Sequence, residues 1–263
     1  AGAEVTVFHR GEHPLEGFEP DLVDVLLKHT RDLGITVHLE AEVAGVAPQD
    51  EGFVVQALQH DKVLTVPADR VVHGAGRVPA LDAMDLDTGN VKHSKRGVTV
   101  NDQLQSVSNP RVWAAGDAAD TPGLPLTPVA SVESMTVASH LRGGERTPNY
   151  DGIPTVVFTI PPLASVGLTE AEAHERGLDV TARHKADITG WYSYERLRSE
   201  AAAFKVIVEN DTGRIVGAHL LGEHAEEVIN LFALAIRHGL SATDLRHGIY
   251  AYPTHGSDVP YMA

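Results

Sequence analysis

Two alternating segments flank an amphipathic one near the start of the chain, and that order restricts the architecture more than any other feature. EVTVFH (residues 4–9) alternates as a strand does. PDLVDVLLKHTRDLG (20–34) sets Leu22, Val25, Leu26 and Leu33 at helical spacing, with Pro20 suited to a first turn and Gly34 to a C-terminal cap. ITVHLE (35–40) reads as a strand again. Strands bridged by a helix run parallel, so the chain opens as a β-α-β unit of a parallel sheet.

The texture then changes. Between 41 and 73 the pieces AEVAGVA, FVVQALQH, VLTVPAD and DRVVHG, with a turn at Asp61-Lys62, predict a small antiparallel meander. A Gly-, Asp- and Asn-rich loop covers 74–109, RVWAAG predicts a short buried strand ending on Gly116-Asp117, and a helix is expected over about 129–142. GGERTPNYDG (143–152) concentrates glycine, proline and charge and marks a domain boundary. Beyond it PTVVFTI is a strand, LTEAEAHERG a capped helix and LDVTARHKADI a strand. FKVIVENDTGRIVGAHLLG is a hairpin turning at 211–213, and EHAEEVINLFALAIRHG is an amphipathic helix with its acids first and Arg237-His238 last. Strands followed by helices make this part α+β.

Composition removes whole classes of function. With 21 Lys and Arg against 36 Asp and Glu, a formal charge of −15, the surface repels nucleic acid and anionic membranes. The longest apolar runs, such as LFALAI, fall far short of the ~20 residues of a membrane span. Cysteine is absent, so neither a disulfide nor a redox thiol pair lies in these 263 residues, which fits a reducing cytoplasm. Fifteen histidines raise the question of metal. No HExxH or comparable ligand spacing occurs, so no metal site is expected, and no GxSxG elbow supports a Ser-His-Asp hydrolase.

Three places could carry chemistry. The GAG at 74–76 gives backbone room for a ligand, but Pro79 argues against the helix of a GxGxxG fingerprint, and a plain tight turn is the competing reading. Asp117, behind Gly116, stands where sheets of this kind place ligands; it either accepts hydrogen bonds from vicinal hydroxyls or caps a turn. Leu126-Thr127-Pro128 then starts a helix, with Thr127 expected as N-cap and Pro128 at the first position, so that free amides favour an electron-rich ligand atom. Arg10 follows the first strand where an adenosine ribose would lie, and its charge suits a 2′-phosphate, the competing reading being a solvated surface arginine.

The ordered set GAGRVPAL, SNPRVWAAGD, LPLTPVA, PTVVFTIPPLASVGLTEAEA, GRIVGAHLLGEHAEEVIN and YPT resembles the class I pyridine nucleotide-disulfide oxidoreductases, the family of glutathione reductase, lipoamide dehydrogenase, mercuric reductase and the soluble transhydrogenase. The resemblance covers essentially the whole chain. It implies partial Rossmann-like domains, with 1–77 belonging to an NAD(P)-binding domain and 78–147 to the returning segment of an FAD domain, followed by an α+β dimerisation domain at 150–263. By the same likeness Gly116 and Asp117 would meet the FAD ribityl or phosphate side, Leu126 and Thr127 the flavin ring, and Gly76 and Arg10 the nicotinamide cofactor. The family's glycine fingerprints and its CxxxxC would all fall before Ala1, so the chain is expected to be a C-terminal fragment of which only 150–263 withstands proteolysis.

The likeness also gives meaning to the tail, YAYPTHGSD (250–258). Disulfide reductases of the family carry His-Pro-Thr there, followed by an acid, and the histidine acts as acid and base in the partner subunit. Here the position is Tyr252, and Ser257 and Asp258 stand about where one glutamate is expected. A phenol titrating near ~10 is a poor proton shuttle at neutral pH, whereas imidazole near ~6.5 is a good one. Tyr252, His255 and Asp258 are therefore the catalytic candidates, His255 as substitute base or as a surface residue. The expected activity is that of a homodimeric, FAD-dependent NAD(P)H oxidoreductase passing hydride through flavin to a small-molecule acceptor: a disulfide, a metal ion, a quinone or a second nicotinamide. The alternatives are a non-catalytic dimerisation module or a transhydrogenase-like enzyme without a redox disulfide.

Overall fold

The parallel pairing expected of the opening segment is present: β1 (Thr6–Phe8) pairs with β2 (Thr36–His38), Val7 opposite Val37, across helix α1 (Pro20–Asp32). Gly34 takes a φ of +86° just past the helix, a conformation glycine adopts without strain. The computed structural model describes residues 2–263. The antiparallel meander follows as β3 (Ala41–Pro48), β4 (Phe53–Gln59) and β5 (Lys62–Ala68). Its second turn sits one residue earlier than the sequence suggested, on His60 and Asp61, both with positive φ, and Lys62 already pairs with Gln59. The strand expected at DRVVHG is absent. Val71 and Val72 are 40% and 91% exposed, and an extended segment without a hydrogen-bonding neighbour forms no sheet.

Residues 73–153 form a compact unit of their own. Three short strands, β6 (His93–Ser94), β7 (Gly97–Thr99) and β8 (Ala119–Asp120), close on a small core of Val91, Val98, Ala114 and Ala119, and helix α2 (Thr127–His140) packs on the turn at 116–118. RVWAAG is not the strand its composition suggested. Its one ladder contact is the bridge from Trp113 to Gln105, and the strand of this region is β8, just after Asp117, parallel to β7.

The other unit joins the residues up to Val72 to 154–263. Strands β9 (Thr155–Val157), β10 (Leu163–Gly167), β11 (Val180–Lys185), β12 (Ala203–Glu209) and β13 (Ile215–Leu221) form one antiparallel sheet in the order β11-β12-β13-β10-β9. Between β10 and β11 lies α3 (Glu170–Glu175), closed by a Thr169–Glu172 capping box, and α4 (Tyr192–Glu195) precedes β12. After the sheet come α5 (Ala225–His238), ended by Gly239, then α6 (Ala242–Arg246) and α7 (Val259–Met262).

Side chains alternate across a sheet, so its two faces carry different jobs. Ala164, Val166, Phe204, Val206, Ala218 and Leu220 pack under α5 with Ile229 and Phe232. Leu163, Ala203 and Leu221 face Leu22, Val23, Leu26 and Leu27 of α1. The opening helix is thereby buried against the last sheet. That burial is why 2–72 separates from 73–153 and joins 154–263, a different grouping from the sequence-based one.

Candidate functional site

Asp117 lies in a 3₁₀ turn, Gly116–Ala118, between Ala115 and β8. Gly116 has φ +64°, and a Cβ there would come within 3.0 Å of the Ala130 methyl, so glycine is required by both backbone and neighbour. The Asp117 carboxylate is 39% exposed and accepts from the guanidinium of Arg77 at 2.7 Å. An exposed pair of this kind contributes about 0–1 kcal/mol, so a ligand hydroxyl takes the guanidinium's place on Asp117 at little cost. Gly76, next to Arg77, is exposed with φ +92°.

Helix α2 begins one residue before the sequence expectation. Leu126 is the N-cap, because its carbonyl accepts the first helical hydrogen bond from Ala130, and Thr127 is already helical. No side chain caps this end, and the first-turn amides are left for a ligand or water. An exposed carboxylate and an uncapped helix start within one unit fit the polyhydroxylated chain of FAD and an electron-rich acceptor atom on its ring.

One residue of this region escaped the sequence reading. Glu133, 1% exposed on α2, accepts from the Gly116 amide at 2.6 Å, the Thr121 hydroxyl at 2.8 Å and the Tyr150 hydroxyl at 2.7 Å. Burial and the bond to Glu133 push the Tyr150 phenol up to about 12. Its signal was available: Glu133 is the one acid in TPVASVESMTVASH.

In the other unit the tail is well tied. Thr254 and Ser257 form a reciprocal cap around the turn His255–Asp258. Tyr252 is 75% exposed, and its ring stacks on Tyr192 with centroids 6.1 Å apart. His255 is not at the surface. It is 4% exposed, edge-on to Tyr194 and 4.7 Å from the His224 ring, packing that the Tyr-Pro-Thr motif gave no hint of. Burial, with the neighbouring His224 and Arg196 charges, lowers it to about 4, so the ring is neutral at neutral pH. Asp258 is 8% exposed, and burial raises its carboxyl above the ordinary range. His255 Nε2 and Asp258 Oδ2 both lack a hydrogen-bond partner.

Arg10 lines an open cleft of 540 Å³ beside β1 and the meander. Glu16, Glu40, Glu42 and Asp61 line it too, with His60 3.6 Å from Glu40. The arginine is outnumbered by carboxylates.

A second charged cluster lies between α1 and the sheet. Ser165, His219 and Lys205 are cross-strand neighbours in one row over β10, β13 and β12. The Lys205 ammonium contacts Glu19 at 2.7 Å, Asp21 at 2.6 Å and Glu170 at 2.5 Å. Burial works against its charge, but the bonds to Asp21, Glu170 and Glu19 outweigh it and raise the lysine. These are the three carboxylates that come near enough to hold a metal ion, and the lysine supplies the cation. Among the described residues, no helix is long and apolar enough to cross a membrane.

Residues 1–138 match the family described as pyridine nucleotide-disulphide oxidoreductase, and residues 153–263 match the dimerisation domain of the same name. A Bacillus subtilis dihydrolipoyl dehydrogenase is 32% identical over 256 residues, 97% of this chain and 54% of that protein. An uncharacterized 19.7 kDa protein in a mercuric resistance operon of Staphylococcus aureus is 51% identical over 180 residues, 68% of this chain and 99% of its own length. The HOCl-induced flavoprotein disulfide reductase RclA from Escherichia coli superposes with a TM-score of 0.86 at 26% identity, over 99% of this chain and 59% of that one. The chain thus spans a little over half the length of the dehydrogenase and the reductase.

Proposed function

Because the chain belongs to the pyridine nucleotide-disulphide oxidoreductase family, we propose that it supplies part of the flavin site, part of the nicotinamide site and the homodimer surface of an FAD-dependent NAD(P)H oxidoreductase. Bound FAD supplies a two-electron relay between nicotinamide and an acceptor. The residues of this chain do the holding. Asp117 accepts hydrogen bonds from the ribityl hydroxyls on the side that leads to the phosphates, Gly116 gives the clearance, and Leu126 and Thr127, at the uncapped start of α2, meet the ring. Gly76 and Arg10 are each assigned to the nicotinamide cofactor. The observation that carries this reading is the exposed Asp117 carboxylate together with the uncapped start of α2.

Tyr252 decides the acceptor. It stands where thiol-handling relatives bring an imidazole, and the imidazole nearby, His255, is buried and neutral. In this reading His255 and Asp258 hold the tail in place, and the stacked, exposed Tyr252 ring receives a flat conjugated acceptor such as a quinone or a second nicotinamide, in preference to a disulfide or a metal ion. The test is direct. Protein expressed from its complete reading frame should purify yellow and bleach anaerobically with NADH; then a quinone should reoxidise it faster than a disulfide does. Colourless protein overturns the flavin reading, and faster reoxidation by disulfide overturns the acceptor reading.

One observation favours a non-catalytic dimerisation module: α1 and the last sheet bury one another as a single unit within a chain that spans 54% of the dehydrogenase. The 263-residue chain carrying a full complement of FAD would exclude that reading.

A further inference from the structure

We propose that Glu133 is the positioning residue of the flavin site: one buried carboxylate sets where Asp117 and the start of α2 stand relative to each other. The inference rests on the reading that Asp117 and α2 contact FAD. Glu133 lies in the second turn of α2, so its backbone moves with the helix start. Its Oε2 holds the amide of Gly116, the residue directly before Asp117, and its Oε1 holds Thr121, just after β8. The loop from 116 to 121 is therefore fastened to α2 on both sides of Asp117 by the two oxygens of one side chain. All three contacts present a donor to Glu133, with Tyr150 the third, on the oxygen that does not hold Gly116. A group 1% exposed with every contact met has no solvent role to explain it. Loss of the Gly116 bond would free a turn built on a glycine, the residue with the widest backbone freedom.

The test uses protein from its complete reading frame and reads FAD dissociation, the flavin visible spectrum and the urea midpoint. Glu133→Gln leaves one acceptor where Gly116, Thr121 and Tyr150 shared two, so the Gly116 amide must compete for it, and should weaken FAD roughly tenfold, with a shifted flavin band. Asp117→Asn should also weaken FAD, and the double variant should be little worse than the poorer single one, because a displaced Asp117 has already lost its contact. Tyr150→Phe removes a bond to the other oxygen; it should lower the urea midpoint and leave FAD affinity in place. Equal loss of FAD in Tyr150→Phe and Glu133→Gln, or additive losses in the Asp117 cycle, overturns the positioning role. No effect of Asp117→Asn alone, or no flavin on the unsubstituted protein, overturns the underlying reading and this inference with it. If Glu133→Gln does not fold, hydrogen exchange of the Gly116 amide in the unsubstituted protein decides: FAD slows it if the turn is part of the site, and an unchanged rate sinks the proposal.

Discussion

Tyr252 lies over Tyr192 with ring planes 22° apart, and both rings face outward, 75% and 56% exposed. In the proposed reading that flat aromatic surface is what meets the acceptor. If the ring is the contact, Tyr252→Ala should raise the acceptor KM roughly 5–10-fold, the worth of about 1 kcal/mol of aromatic contact. Tyr252→Phe, which keeps the ring and drops the hydroxyl, should raise it by about twofold or less. Steady-state kinetics with a quinone decides; matching losses in the two variants would assign the work to the hydroxyl instead.

Lys205 is a buried cation facing Glu19, Asp21 and Glu170, and removing one member of such a group leaves the others uncompensated. Asp21 and Glu170 are 46% and 36% exposed, so solvent screens part of the loss. Lys205→Met should cost about 3 kcal/mol in urea unfolding, and adding Glu19→Gln should recover part of it. The same contact changes the proteolysis expectation. Residues 18–39 should resist cleavage together with 154–263, because α1 is part of that core; early cutting inside 20–32 of the unsubstituted chain would contradict it.

The buried histidines set an acid limit. His255 is lowered to about 4 from an ordinary value of 6.5, and burial lowers His219 too. Between those values the unfolded chain binds the proton and the folded chain does not, so stability rises with pH across about 4 to 6.5 and is flat above. For His255 the shift corresponds to about 3 kcal/mol as an upper figure. Raised Asp258 acts oppositely, losing stability as pH climbs from 3.8 toward its folded value, and Glu223 and Glu226 soften the His255 shift. Urea midpoints at pH 4.5 and 7 should differ less in His255→Gln than in the parent; an unchanged difference would show that His255 takes up its proton without unfolding.

Periodicity made the β-α-β opening, the meander, the hairpin and α5 legible, since each repeats at its own spacing over enough residues. What stayed hidden depends on partners distant in sequence. LASVG (163–167) lies inside the sheet, paired on both sides, but is too short and small to announce a strand, while DRVVHG looks like one and finds no neighbour. Asp117, Gly116 and the start of α2 were legible because glycine, acid and Leu-Thr-Pro mark a turn and a helix start locally. Lys205 was not, since it looks like an ordinary surface charge until Glu19, Asp21 and Glu170 are placed around it, and Glu133, though marked as the lone acid of its helix, gains a job only with Gly116, Thr121 and Tyr150.

The cleft beside Arg10 gives the last expectation. Arg10 alone suits the 2′-phosphate of NADPH, but Glu16, Glu40, Glu42 and Asp61 share the same lining. A phosphate brought among them carries close to two negative charges, and each unit pair at 4 Å repels by about 1 kcal/mol even in water. Arg10 offsets a fraction of that sum, whereas the free 2′-hydroxyl of NADH meets carboxylates as hydrogen-bond acceptors. NADH should therefore exceed NADPH in kcat/KM by roughly tenfold or more, about 1.4 kcal/mol. Glu16→Arg should narrow the ratio, and Arg10→Ala should widen it by penalising NADPH. Steady-state rates with both nucleotides, at low salt where these charges are least screened, give the answer. A preference for NADPH would mean that Arg10 governs the cleft despite its acidic company.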